Sequence, residues 1–174
     1  MSELIAPTAA LHRQWLELRD DFGRGVHLAG SGLHDDDDVD SAAGFAAWVE
    51  RLGQDTDPAV PVAPGRVHCT YWWIVEDRAV LGSISLRHEL NDFLLEAGGH
   101  IGYSVRPSAR RRGLATYALG EVLKSARRLG IERVLITCDV TNEASRRTIE
   151  HFGGVQEDIR DTALGTVRRF WIEQ

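Results

Sequence analysis

Apolar residues along positions 114–129 recur at Leu114, Ala118, Val122 and Ala126, with Ala115, Leu119 and Leu123 beside them. This is the spacing of one helix face, and Gly130 is placed to end the helix after Leu129. Residues 8–22 put Leu11, Trp15 and Leu18 on one face and predict a helix; "SAAGFAAWVERLG", residues 41–53, predicts a second. A Gly- and Asp-rich stretch lies between them, and a loop with Pro58, Pro61, Pro64 and Gly65 follows. From His68 the pattern turns to strands: "HCTYWWIV", a tight "EDR" turn and "AVLGSISLRH" read as an antiparallel hairpin. "FLLEAGGHIGYSVRP" closes on a strand ending at Pro107, and "ERVLITCDV" is a short strand rich in branched residues. "TNEASRRTIEHFGG" predicts a helix capped by Asn142 or Thr141 and stopped by Gly153 or Gly154; the tail predicts two strands joined by a turn.

Composition adds little to that pattern except by exclusion. At 174 residues, 43% hydrophobic and 26% charged, the chain suits one folded domain with a substantial core. A net charge of −6 argues against a general nucleic-acid or anionic-membrane binder, either of which needs a basic surface. No apolar run approaches the ~20 residues of a membrane span and nothing near Met1 resembles a signal peptide, so the expected location is cytoplasmic. Cys69 and Cys138 lie in separate apolar segments without metal-ligand spacing, which disfavours a disulfide framework or a zinc site.

One local feature contradicts the usual electrostatics. Arg110, Arg111 and Arg112 precede the helix at 114–129, where the helix dipole repels cations. In a strand–loop–helix–strand crossover the helix N-terminus offers unpartnered N–H groups to an anion. A diphosphate docked there would account for the arginines, and Gly113 would let the backbone approach it; the alternative is that the arginines fan into water. Neither a Gly-x-x-x-x-Gly-Lys-[Ser/Thr] loop nor a Gly-x-Gly-x-x-Gly turn is present, which disfavours two standard nucleotide-binding designs.

The loop that is present, Arg110-x-x-Gly113-x-Ala115, resembles the Arg/Gln-x-x-Gly-x-Gly/Ala pyrophosphate loop of the GCN5-related N-acetyltransferases (GNAT). The order of elements is similar too: a hairpin, a fourth strand "HIGYSVRP", the loop and long helix, a fifth strand "VLITCDV", then Asn142 opening a helix that ends in "HFGGV". The resemblance covers about residues 68–156 and reaches the N-terminal part only through its helix pair. It implies an α/β (α+β) domain with a mixed, mostly antiparallel sheet splayed between strands 4 and 5 and helices on both faces. Residues 1–67 would shape the acceptor side, 68–156 would bind acetyl-CoA and 157–174 would supply C-terminal strands. The implied activity is transfer of an acetyl group from acetyl-CoA to a primary amine by direct attack, with a non-catalytic acyl-CoA-binding regulatory domain as the alternative. A small-molecule acceptor is favoured over a protein, no nucleic acid or membrane partner is expected, and homodimer formation stays open.

By the same resemblance, the backbone of Tyr103, Ser104 and Val105 would pair with the pantetheine arm as an added strand. The N–H groups of Arg110, Arg111, Arg112, Gly113, Leu114, Ala115 and Thr116 would hold the pyrophosphate, and Asn142 and Ser145 would reach the pantetheine. Members of the family commonly place a tyrosine seven residues after the asparagine as the acid for the departing thiolate; here that residue is Ile149, which leaves the acid unassigned. Ser145 could donate to the thiolate or be ordinary helix surface. His100 falls close to where many relatives carry a glutamate base, and an unperturbed histidine pKa near 6.5 suits proton transfer; Glu96 and Glu89 are reserves, and a water relay competes with all three. "HDDDD", residues 34–38, reads as a solvated acidic loop, with metal binding or attraction of a cationic amine as alternatives. Of Trp72 and Trp73, which alternate along a strand, one packs in the core and the other faces helices or the acceptor cleft; Cys138 reads as core.

Overall fold

A computed structural model describes residues 1–174. The elements are β1 (Glu3–Ile5), α1 (His12–Phe22), α2 (Ala42–Thr56), β2 (Cys69–Glu76), β3 (Ala79–Arg87), β4 (Ile101–Val105), α3 (Leu114–Arg128), β5 (Arg133–Asp139), α4 (Glu143–His151), β6 (Val155–Thr162) and β7 (Gly165–Glu173). They form two antiparallel sheets: four strands in the order β1-β2-β3-β4, and three in the order β5-β7-β6. The hairpin turn at Asp77 and Arg78 uses positive φ at both residues, which matches the strand twist of a two-residue turn. β1 carries no sequence signal because three residues are too few to show a period.

Strand alternation separates two cores on opposite faces of the first sheet. Trp73, Val75 and Val80 face α1 and α2, where Trp15, Phe45 and Trp48 pack with ring centroids 4.8–6.1 Å apart. Ile74, Ile84, Leu86 and Ile101 face the other way, against Leu114, Ala118, Val122 and Ala126 of α3 and Val134, Ile136 and Phe170 of the second sheet. Trp72 lies half-buried against this second cluster, so the two tryptophans do part to opposite sides.

β4 and β5 share no ladder. They meet where His100, just before β4, donates its N–H to the Leu135 carbonyl at 2.7 Å and accepts the Leu135 N–H on Nδ1 at 2.9 Å. Beyond that junction the sheets splay apart, as the fold expectation required. The buried Arg169 steadies the wall beside the splay: its Nη1 pairs with Asp158 at 2.9 Å, and its Nη2 donates at 2.7 Å to the Leu95 carbonyl of a π-helical turn, Leu94–Gly98.

Candidate active site

The splay leaves β4 with an unpaired edge. Arg106 donates to Leu81 O and Arg87 donates to His100 O, so the residues of β4 in phase with these, Gly102 and Ser104, turn their backbone groups toward β3. Tyr103 and Val105 turn theirs toward the fork. Ser104, expected to share in binding there, is instead engaged on the β3 side, where its Oγ lies 3.4 Å from that of Ser83. A cleft of about 680 Å³ opens along this edge, lined on the fork side by Tyr103, Thr137, Cys138, Asp139, Asn142 and Ser145.

The arginine loop follows β4. Arg106 and the Ser108 hydroxyl and N–H all donate to Asp21 of α1, which draws that carboxyl down to about 2 and pins the loop's start. Arg111 and Gly113 adopt positive φ, of 65° and 76°. Gly113 is the N-cap of α3 and has no side chain to cap it; the first intrahelical bond comes from Tyr117 to Gly113 O, which leaves the amides of Leu114, Ala115 and Thr116 without helix partners. Arg112 pairs with Glu76, and Arg110 leans back on Val105 O and the Phe22 ring, so two of the three cations have intramolecular contacts.

Across the fork, Asn142 caps α4 by accepting the Ser145 N–H at 3.1 Å. Ser145 is 9% exposed, and its Oγ lies 2.7 Å from the Tyr103 hydroxyl, bridging α4 to β4. Burial pushes the Tyr103 phenol up to about 12, so it stays protonated at neutral pH, although its bond to Ser145 opposes that rise. Ile149 is fully buried in the core and offers the fork nothing.

The family model for the Acetyltransferase (GNAT) domain matches residues 31–155. The chain belongs to the GNAT acetyltransferases. Acetyl-CoA is therefore its acyl donor. No curated protein sequence matches it significantly. Among solved structures it is similar to the ribosomal-protein-S5-alanine acetyltransferase from Vibrio fischeri (TM-score 0.75, 13% identity, 99% of this chain and 92% of the other). It is similar also to a ribosomal L7/L12 α-N-protein acetyltransferase in complex with coenzyme A (0.72, 18%, 99% and 93%) and to the microcin C7 self-immunity acetyltransferase in complex with acetyl-CoA and AMP (0.70, 15%, 99% and 92%).

The GNAT cleft holds none of the bases expected from the sequence. His100 is buried in the junction between the sheets and does not line the cleft. Its Nδ1 accepts from Leu135, which puts the neutral ring's proton on Nε2 and leaves no lone pair for a substrate. Burial, helped by the charge of Arg87, pushes it down to about 4. Glu96 sits exposed on the outer side of the π-helical turn, where its charge is felt by Arg160 of β6, and Glu89 is exposed beyond β3; neither lines the cleft. His100 is thus a stitch between sheets, with a thermodynamic signature. As pH falls from about 6.5 to about 4, the unfolded chain takes a proton that the folded imidazole refuses, so stability drops by up to ~1.4 kcal/mol per pH unit. His100→Ala should remove that slope from denaturant unfolding curves and lower stability at pH 7 by about 1–3 kcal/mol, because the Leu135 N–H loses its side-chain acceptor.

The other half of the cleft is built from residues the sequence pattern did not single out. The segment Leu28–His34 drapes over the β3–β4 face so closely that a Cβ on Gly30 would lie 2.3 Å from Gly102 O. Cys69, Tyr71, Ser85 and Arg87 line the cleft with it. Burial pushes the Cys69 and Cys138 thiols and the Tyr71 phenol up, so all three are neutral. The acidic run turns away from the cleft. Asp37 accepts from Arg51 at 2.6 Å and from the His34 N–H at 2.7 Å, and Asp38 binds Ser41 at the start of α2. Only His34 of the run lines the cleft. The ligand atoms of His34, Asp36 and Asp37 come within 4.8 Å of one another, yet the His34 ring and Asp37 are already held by Arg66 and Arg51.

Proposed function

We propose that this GNAT enzyme transfers the acetyl group to a primary amine on a small molecule by direct attack, with no acetyl-enzyme intermediate. The observation that carries this reading is the unpaired edge of β4 running toward the uncapped N-terminus of α3. Tyr103 and Val105 offer backbone groups to a pantetheine arm, and the amides from Arg110 to Thr116, with the free charge of Arg111, suit its diphosphate. When bound, acetyl-CoA supplies the thioester carbonyl and the leaving thiolate.

The chain's own groups divide the remaining work. An N–H on the open edge of β4 can stabilise the developing oxyanion without reorganising. The Ser145 hydroxyl, held by Tyr103, stands where Ile149 cannot and donates a hydrogen bond to the departing sulfur. A thiolate with a reference pKa near 8.5 needs little more than that near neutrality. The amine's proton leaves through cleft water, since His100, Glu96 and Glu89 are elsewhere; an α-amino group with pKa about 8 is already neutral in roughly a tenth of molecules at pH 7. Cys69 and Cys138 are poor nucleophiles because burial keeps them protonated.

Initial rates of thiol release with acetyl-CoA and a panel of amines test this reading. Intersecting double-reciprocal plots and an unmodified protein mass after incubation with acetyl-CoA are expected. Parallel plots with an acetylated protein would replace direct attack with a covalent route. Binding of acetyl-CoA without turnover of any amine would favour the regulatory-domain alternative.

A further inference from the structure

Arg87 ends β3 at the acceptor end of the cleft, and its guanidinium is used on one side only. Nη1 donates to Gly98 O and Gly99 O, both at 3.1 Å, which occupies both of its hydrogens. Nε and Nη2 make no hydrogen bond, and neither is sealed away among the buried unpartnered atoms, which are Trp15 Nε1, Arg51 Nη1 and Gln174 Nε2. Arg87 joins no ion pair, whereas Arg19, Arg51, Arg106, Arg146 and Arg169 each hold a carboxylate. The residue is half-buried and lines the cleft. What remains unused is the Nε/Nη2 edge, the pair of parallel donors that fits a carboxylate or phosphate in bidentate fashion.

Few charges compete with it. Arg66 is the other cation lining the cleft, burial and the charges of Arg51 and Arg66 push the His34 imidazole down so that it stays neutral, and the one lining carboxylate, Asp139, is at the end of β5 accepting from Thr141 N–H and Oγ1. Asp55, whose charge reaches Cys69 and Tyr71, is outside the lining and 3.6 Å from Arg51. A protein of net charge −6 thus keeps an unneutralised arginine in its cleft. Register places it along the sheet: Ser85 pairs with Gly102, the neighbour of Tyr103 on β4, and Arg87 is two residues further along β3, ~7 Å at strand rise.

We propose that the acceptor carries an anionic group, a carboxylate or a phosphate, a few bonds from its amine, and that the Nε/Nη2 edge of Arg87 binds it and so orients the amine toward the thioester. This rests on the acetyl-transfer reading and names the acceptor class for the same cleft. It excludes polyamines and other purely cationic acceptors.

The test uses matched probes: glycine against glycinamide for a carboxylate, and 2-aminoethyl phosphate against ethanolamine for a phosphate. Each is titrated calorimetrically into CoA-saturated protein and assayed for acetyl transfer. Wild type is expected to favour one anionic member over its neutral or cationic partner, and which pair shows the preference tells carboxylate from phosphate. Arg87→Gln should lower binding and kcat/KM for that anionic probe by about 10- to 100-fold, with Arg87→Lys recovering part of the loss and acetyl-CoA affinity unchanged in both. Equal binding of the paired probes, no binding of either anion to the CoA-loaded protein, or a preference that survives Arg87→Gln would overturn the proposal. Failure of acetyl-CoA itself to bind wild type would instead remove the acetyl-transfer reading beneath it.

Discussion

Gly113→Glu is expected to abolish acetyl-CoA binding and to spare the fold. A Cβ at position 113 would meet no heavy atom within 4 Å, so the substitution creates no clash. The cost to the folded chain is the left-handed backbone, φ 76°, which an L side chain adopts at about 1–2 kcal/mol. The cost to the complex is larger. A carboxylate is placed among the amides of Leu114, Ala115 and Thr116, beside a dianionic diphosphate, and competes for the same donors. Micromolar binding corresponds to about 8 kcal/mol, and a drop of more than about 100-fold is expected. Calorimetric titration measures the loss, and a melting temperature within several degrees of wild type shows that the fold survives. Gly113→Ala separates strain from charge, since it shares the backbone cost and should keep most of the affinity. Wild-type affinity in Gly113→Glu would mean that the diphosphate lies elsewhere and that the three arginines serve some other anion.

Tyr103→Phe should lower kcat by about 100-fold with acetyl-CoA affinity unchanged, the loss typical of a removed transition-state donor. The change deletes one oxygen, and with it the 2.7 Å bond to the Ser145 hydroxyl, the proposed donor to the departing sulfur. Simple loosening of the structure would also slow the enzyme, so the informative readout is the leaving group. Acyl donors with more acidic thiols need less help to depart, and Tyr103→Phe should recover more of its rate with them than wild type gains. An equal gain in both proteins would show that the thiolate leaves without this hydroxyl pair.

The elements around the arginine loop were legible in the sequence because their parts are local. Arg110 to Thr116 are contiguous, the helix that follows them announces itself by its apolar period, and the Asn142 cap follows from short spacing, whereas the departure at Ile149 showed only against the resemblance. The splay of the sheets came through the resemblance and not from any pattern in β4 or β5. The fate of His100 could not be read because it depends on Leu135, distant in sequence and brought close only when the two sheets meet. Arg87 was hidden for a similar reason. An arginine at the end of a strand is ordinary, and what distinguishes this one is the Gly98–Gly99 carbonyl pair that occupies Nη1 and the lack of any carboxylate beside it. The acidic run, read as a solvated loop, leaves Asp35 and Asp36 exposed, while Asp37 is engaged by Arg51 and Asp38 by the start of α2.

The junction at His100 and Leu135 also bears on how the molecule holds together when empty. Two sheets that share a junction but no ladder leave the edge of β4 open, and a coenzyme bound there as proposed would complete the missing row of backbone pairing. Its binding energy then adds to cohesion between the sheets, by RT ln(1 + [L]/Kd). Local opening at the fork, visible as fast amide exchange of Tyr103 and Val105, would be suppressed in step with donor occupancy, so the chain spends its loosest moments between turnovers.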